Sequence, residues 1–376
     1  MWNYIIRRTL YNIPVFLAII LVVMAALRVT DPVSAHLGKN ASEEQIELKT
    51  KAMGLDQPFV VQYGVFLRDL ALLWKQVPEE TEPVDDEDSE AVEAGAAVDA
   101  GDESIDDSSQ EVEAEVVAAD SPWKRRVTRS WDQDIPVTKM IFDAVPPSIA
   151  VMAPTLFVTA SIAIVIGLIS AFNRGRAADK TLMFLAVTGM SVSVLVYIII
   201  GQYFGAYLPK QRADSWPFAV AVDASAAGGR TFFYMPANWV QYCMLPVIIN
   251  VIVALGYDTR FYRAVMVEET RKDYIRTARA KGASTVRVMF VHMLKNAMIP
   301  IITRIMISLP FVVTGSILIE VYFNIPGMGR TLINAINSKD FPVIQTFTAL
   351  FALLFILSNI LTDVLYALAD PRVRLS

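Results

Sequence analysis

Six stretches of this 376-residue chain carry no Asp, Glu, Lys or Arg: 9–27, 144–173, 181–209, 231–257, 305–319 and 341–362. A helix needs about 20 mainly apolar residues to cross the hydrocarbon of a bilayer, with about 17 to 25 the usual range. Five of the runs are long enough unaided. The fifth in order is short, but the uncharged 296–303 precedes it and only Arg304 interrupts, so the two join into one span. With 54% hydrophobic and only 19% charged residues, the chain has more apolar surface than a soluble globule can hide. The expectation is an all-α membrane protein with six transmembrane helices. The first run has a second reading as a signal peptide, since Arg7 and Arg8 resemble a basic leader. Its length exceeds the roughly 7–15 residues of a leader's apolar core and five spans follow, so an uncleaved helix is expected.

The formal charge of −5 averages two unlike regions. Eighteen acidic residues and no Lys or Arg lie between Pro78 and Asp120, whereas 33 basic residues face 20 acidic ones elsewhere. That low-complexity stretch cannot bury enough apolar area to offset its chain entropy, so a solvated, disordered insert is expected. Nothing in it fixes ligand geometry as a calcium loop would. Residues 29–77 read as ordered, with a turn at Met53-Gly54-Leu55-Asp56-Gln57-Pro58 and a helical stretch through Trp74. Direction follows from Lys and Arg. With the N-terminus inside, the segments 1–8, 174–180, 258–304 and 363–376 hold 17 basic residues in 76 positions, against 5 in 42 for the short loops 210–230 and 320–340. Both termini are expected in the cytoplasm.

Few residues here could do covalent chemistry. The single cysteine, Cys243, excludes an internal disulfide, and only His36 and His292 exist, so no metal centre is expected. Gly329-Arg330-Thr331 lacks the lysine and upstream glycine of a phosphate-binding loop. Uphill transport would therefore draw its energy from a partner or an ion gradient. The inner segment 258–304 is the informative one. A helix is expected over Val265–Ala280, ending at Gly282, and a second from Thr285 through Leu294. This basic helix–Gly–helix is either a loop held to anionic lipid or a docking element whose small residues let a partner approach.

Asp273-Tyr274-Ile275-Arg276-Thr277-Ala278-Arg279-Ala280-Lys281-Gly282 resembles the cytoplasmic EAA-type loop of bacterial ABC importer permeases, in its dipeptide/oligopeptide/nickel form. Ile5-Ile6-Arg7-Arg8, Gly54-Leu55-Asp56-Gln57-Pro58 with Gln62-Tyr63, Glu320 through Arg330, and Asp363 through Arg372 are similar to that family at matching places. The resemblance covers roughly residues 1–75 and 136–376. Arg276-Thr277-Ala278 replaces the general Glu-Ala-Ala start, as in the peptide/nickel branch, and the insert 78–120 is foreign to the pattern.

The resemblance implies a type I permease fold in a bacterial inner membrane. Residues 1–30 would form the cytoplasmic N-terminus and first helix, and 31–143 an external loop with the acidic insert. Residues 144–376 would form the core, with a coupling loop at 258–296. It implies a second homologous permease, two cytoplasmic ATPases and an external solute-binding protein as partners, besides the lipid bilayer; no nucleic acid is expected. The chain itself would bind no cofactor and would not be an enzyme, ATP and magnesium being used by the ATPases. Asp273, Tyr274, Arg276, Thr277, Ala278, Arg279 and Gly282 would then form the ATPase-coupling loop. Glu320, Phe323, Pro326, Gly327 and Gly329 are candidates for an outer gate or binding-protein contact, with a tight return of the chain as the alternative. A peptide, nickel chelate, glutathione-like compound or sugar would suit this subunit type as solute.

A stand-alone secondary transporter or channel is the main alternative, and a scaffold for the acidic insert a third. Arg304, Glu320 and Asp363 at or near span limits are few for an ion relay. Arg304 and Asp363 lie within about 12 Å of the same interface, so they could pair across spans five and six. Alternatively Arg304 snorkels to lipid phosphate and Asp363 bonds locally. Reporter fusions at Gln110, Arg176, Asn337 and the C-terminus are expected to read out, in, out, in; any swap among the four would overturn the topology.

Overall fold

A computed structural model describes residues 2–29, 32–33, 42–72, 129–213, 216–222 and 232–369. The acidic insert and the Asp370-Pro371-Arg372 motif lie outside the described residues. Among those described every regular element is a helix, apart from one isolated bridge between Arg129 and Pro136. Two compact units share it: 1–25, 141–337 and 347–376 form one, 26–140 and 338–346 the other.

Helix α1 (Trp2–Leu27) belongs to the first unit for all but its last two residues, and the second unit holds α2 (Glu43–Met53) and α3 (Phe59–Leu72). Ser42 and Gln45 form a reciprocal capping box at the start of α2. Gly54, at φ +69°, ends it in the left-handed conformation that glycine adopts without a Cβ penalty. The expected turn is thus present. Nearby, buried Asp340 accepts a 2.5 Å bond from Ser130, and Trp131 packs on Phe341 at 5.5 Å between centroids.

The larger unit holds the spans. Helix α4 (Val137–Phe172) has 36 residues, about 54 Å at helical rise, well beyond the roughly 30 Å of hydrocarbon. The third charge-free run is not one straight helix. It breaks into α5 (Ala177–Ser191) and α6 (Val194–Arg212), bent by 90°. Ser193 restarts the chain by accepting from Leu195 N, and Tyr197 donates to Gly189 O at 2.9 Å, meeting a carbonyl that the break frees. Five helices are therefore long and apolar enough to cross a membrane, or six if the bent pair counts as one.

The fourth run differs too. Residues 236–242 make a separate short helix, α7 (Pro236–Tyr242), and the span α8 runs Met244–Glu269, twelve residues further than the charge-free run suggests. Helix α9 (Asp273–Ala280) is separate, so the expected helix over Val265–Ala280 is broken at Thr270–Lys272. A helical run α10 follows over 285–296, with a π turn at Val288–Met293. The fifth span is a chain of three helices, α11 (Met298–Ser308), α12 (Pro310–Thr314) and α13 (Ile317–Tyr322), broken at Pro310 and at Gly315. After it come α14 (Met328–Asn337) and the last span, α15 (Phe341–Ala369).

Small residues let these spans meet closely. A Cβ on Gly256 of α8 would fall 2.8 Å from Ala186 O in α5, and one on Gly167 of α4 would fall 2.9 Å from Arg263 N in α8. Close backbone approach of this kind is how helices gain packing contacts where lipid offers no hydrophobic drive. Phe157, Phe184 and Ile200, by contrast, stay exposed, as lipid-facing positions should. One buried cluster unites Leu168, Tyr262, Met266 and Ile301 with Ile275 and Ala278 of α9.

Candidate functional site

The packing of α9 sorts the motif residues into two faces. Ile275 and Ala278 are buried in that cluster, and burying an isoleucine is worth about 1.5–3 kcal/mol. Tyr274 is half-buried and donates to Glu269 Oε2 at 2.6 Å; Lys272 Nζ donates to Oε1 of the same carboxylate at 2.6 Å. Glu269, itself buried, thus gathers Lys272 from the turn after its own helix and Tyr274 from the start of α9, which holds the break between the two helices. Burial, and next the Glu269 carboxylate, push the Tyr274 hydroxyl up and keep it a donor. Asp273, Arg276, Thr277, Arg279 and Gly282 face outward, the first two 3.7 Å apart. Arg279 also lies over the Phe172 ring at 5.6 Å.

Gly282 ends the helix as the sequence suggests. At φ +77° it donates to Arg279 O at 2.9 Å while Ala283 N reaches Ala278 O at 3.1 Å, the two bonds of a Schellman motif. A Cβ there would meet nothing within 4 Å in this chain. The demand for glycine at 282 comes from its backbone angle, and the space before it is open.

A carboxylate that the sequence reading passed over anchors the same region. Asp179 of α5 accepts two bonds from Arg263 of α8, at 2.6 and 2.8 Å, one from Ser170 at 2.5 Å and one from Gly175 N at 2.9 Å. Both its oxygens are fully used. It stood in the basic segment 174–180, where one acid reads as an ordinary solvated charge. The usable signal was its place in the first turn of a helix, four residues after the Gly175 turn.

On the segment expected outside, Glu320 is 1% exposed. It accepts from Ser148 Oγ at 2.7 Å and from Arg330 N at 3.1 Å, and Ser148 Oγ accepts in turn from Met328 N at 2.8 Å. The carboxylate therefore caps the N-terminus of α14, where amides lack intrahelical partners and negative charge is favoured. Side chains at Gly315 or Gly327 would fall on that carboxylate, and one at Gly329 would come 3.0 Å from the Ile317 backbone. Phe323 is buried as well, and Pro326 half-buried. Glu320, Phe323, Gly327 and Gly329 thus face their own chain. Together they form an internal clip, the carboxylate's donors coming from α4 and α14, which is the tight return of the chain given as the alternative for this segment.

The Arg304–Asp363 pair is not the one formed. Arg304 takes Asp258, with Nε at 2.8 Å and Nη2 at 2.7 Å, and Asp363 takes Arg8 at 2.7 Å. The reason is the length of α8: Asp258 stands inside a continuing helix and comes level with Arg304. Spans five and six meet through hydroxyls instead, Thr303 with Tyr366 at 2.5 Å and Ser358 with Met306 O at 2.5 Å.

Comparison with known proteins gives the chain's family and relatives. A family described as "Binding-protein-dependent transport system inner membrane component" matches residues 163–375, and one described as the N-terminal part of such a component matches residues 1–80. The chain is 28% identical to a probable peptide ABC transporter permease of Sinorhizobium fredii over 99% of each chain. It is 29% identical to a putative peptide transport system permease of Brucella abortus over 98% of each. With a glutathione transport system permease of Salmonella paratyphi A the identity is 30%, over 100% of this chain and 99% of the relative.

Replacing Glu320 by Ala is expected to leave the Ser148 hydroxyl and the Arg330 amide without an acceptor, at about 1–3 kcal/mol for each buried group left unsatisfied. Thermal unfolding of the purified protein in detergent should show a clear fall for Glu320→Ala and a smaller one for Glu320→Gln. An unchanged midpoint for Glu320→Ala would contradict the clip.

Proposed function

The chain belongs to the inner-membrane components of binding-protein-dependent transport systems and is a permease subunit of an ABC importer, and on that premise we propose that its solute is a peptide or a peptide-like compound such as glutathione. An external binding protein delivers it. A second permease completes the pathway, and two cytoplasmic ATPases, using magnesium and ATP, dock on α9. The observation that carries the docking proposal is the division of α9: an inner face buried against the ends of α4 and α8, and an outer face of charged residues with open space at Gly282.

In this mechanism the ATPases close on ATP and move α9. Because Ile275 and Ala278 are packed among the ends of the spans, and Tyr274 and Lys272 hold Glu269, the motion passes directly into α8. From α8 it reaches α5 through Arg263 and Asp179, and α11 through Asp258 and Arg304. The lever works only if the two states make different contacts. No residue of this chain takes part in bond-making.

Purifying the tagged chain from its own membranes should bring down a second permease and ATPase subunits. With that complex in proteoliposomes, Gly282→Leu should lower uptake per ATP hydrolysed at least tenfold while ATP hydrolysis persists. Uptake by the chain alone, driven by an ion gradient without ATPases, would instead favour a stand-alone transporter.

A further inference from the structure

Between α4, α8 and α11 lies a cavity of about 290 Å³, at the lower edge of the roughly 300–1,000 Å³ usual for small-molecule sites. Asp258 and Arg304 line it, with Thr159, Asn250, Tyr257 and Ser308 among its other walls. The polar groups in it differ from those at the buried carboxylates Asp179 and Glu320. Asp179 uses both oxygens, and so does Glu320. Asp258 receives both Arg304 bonds on Oδ1, so among the described residues Oδ2 has no partner, and neither has Arg304 Nη1. The Thr159 hydroxyl is buried with no partner at all, the residue being 2% exposed. Asn250 spends its amide on a weak acceptor, the Met152 sulfur at 3.3 Å. Buried polar groups are normally hydrogen-bonded, so the Thr159 hydroxyl calls for a partner, and the Asp258 and Arg304 atoms left over beside it are accessible to one that enters the cavity.

We propose that this cavity is a solute subsite for a zwitterion the size of a short peptide, Asp258 Oδ2 taking the ammonium and Arg304 Nη1 the carboxylate. Thr159 and Asn250 then meet the peptide amide between them. An ammonium beside the carboxylate and a carboxylate beside the guanidinium each form a charge-assisted bond, stronger than a neutral one. A solute with one sign of charge would face a like charge in the same small space. A neutral sugar would leave both charged groups unmatched. The pair itself need not open, because the solute engages the atoms that it leaves over. This assignment rests on the peptide reading given above.

The test uses the complex with its partner subunits in proteoliposomes and labelled alanyl-alanine as the probe. Removing both charges together, as Asp258→Asn with Arg304→Gln, strands no lone charge in the span, and replacing both members of a buried pair is far milder than breaking it. The double variant should be recovered with its partners and should take up alanyl-alanine at least tenfold more slowly. Uptake within twofold of wild type would overturn the subsite and leave the cavity to water. Thr159→Val breaks no bond present in the structure and keeps the shape, so it tests the site even if the double variant assembles poorly. It should raise the KM for alanyl-alanine at least threefold, and an unchanged KM would equally overturn the subsite. If the wild-type complex moves glutathione but no alanyl-alanine, the subsite falls and the peptide-like reading stands; if it moves neither, both fall; if it moves alanyl-alanine and the variants match it, the subsite alone falls.

Discussion

An ionised side chain at the centre of an apolar helix costs about 2.5–3.5 kcal/mol on insertion scales, so each such charge must find a partner. This chain answers with specific pairs. Arg263 meets Asp179, Arg304 meets Asp258 and Arg8 meets Asp363, and every one of these pairs joins two different spans. Charges at or near the ends of the spans are thereby turned into the joints of the bundle. Much of the arrangement depends on α8, which contributes to two of the three pairs and carries Glu269 at its end. It is also the helix on which Gly167 and Gly256 allow α4 and α5 to close.

Helix α9, on which docking is proposed, draws its rigidity from tertiary contacts too. Alone, α9 is an eight-residue helix, too short to persist in water without tertiary support. Two buried side chains, the Glu269 bonds and the Gly282 turn hold it to the ends of the spans. Its outward residues are then presented on a fixed body, which suits a surface that must transmit a push. The clip at Glu320 plays a matching part at α14, where a carboxylate supplied by one segment caps the helix of the next.

Much of this was legible in the sequence. Charge-free runs locate the spans, the left-handed turns at Gly54 and Gly282 appear where glycine and its neighbours suggest them, and the motif at 273–282 falls on a short helix ended by a Schellman turn. What escaped depends on distance in the chain. Asp258 looked like the first residue of a loop because the charge-free run stops at Tyr257, although a helix can continue past an aspartate whose partner lies 46 residues away. Asp179 and Arg263 are 84 residues apart, and nothing local marks them as a pair. The bend after Ser191 was hidden for a different reason: Gly189, Ser191 and Ser193 are uncharged, so a run defined by missing charge passes straight through the break.

If interspan pairs hold α8 and its neighbours as one body, Asp179 and Arg263 must be energetically coupled. A double-mutant cycle with Asp179→Asn and Arg263→Gln, read by thermal unfolding of the purified protein, tests this most directly. Breaking a buried pair from one side costs about 3–5 kcal/mol, whereas removing both charges costs much less. Each single variant should therefore be strongly destabilised, and the double variant should be more stable than the sum of the two losses predicts by at least about 1 kcal/mol. Simple additivity of the two losses would contradict the account.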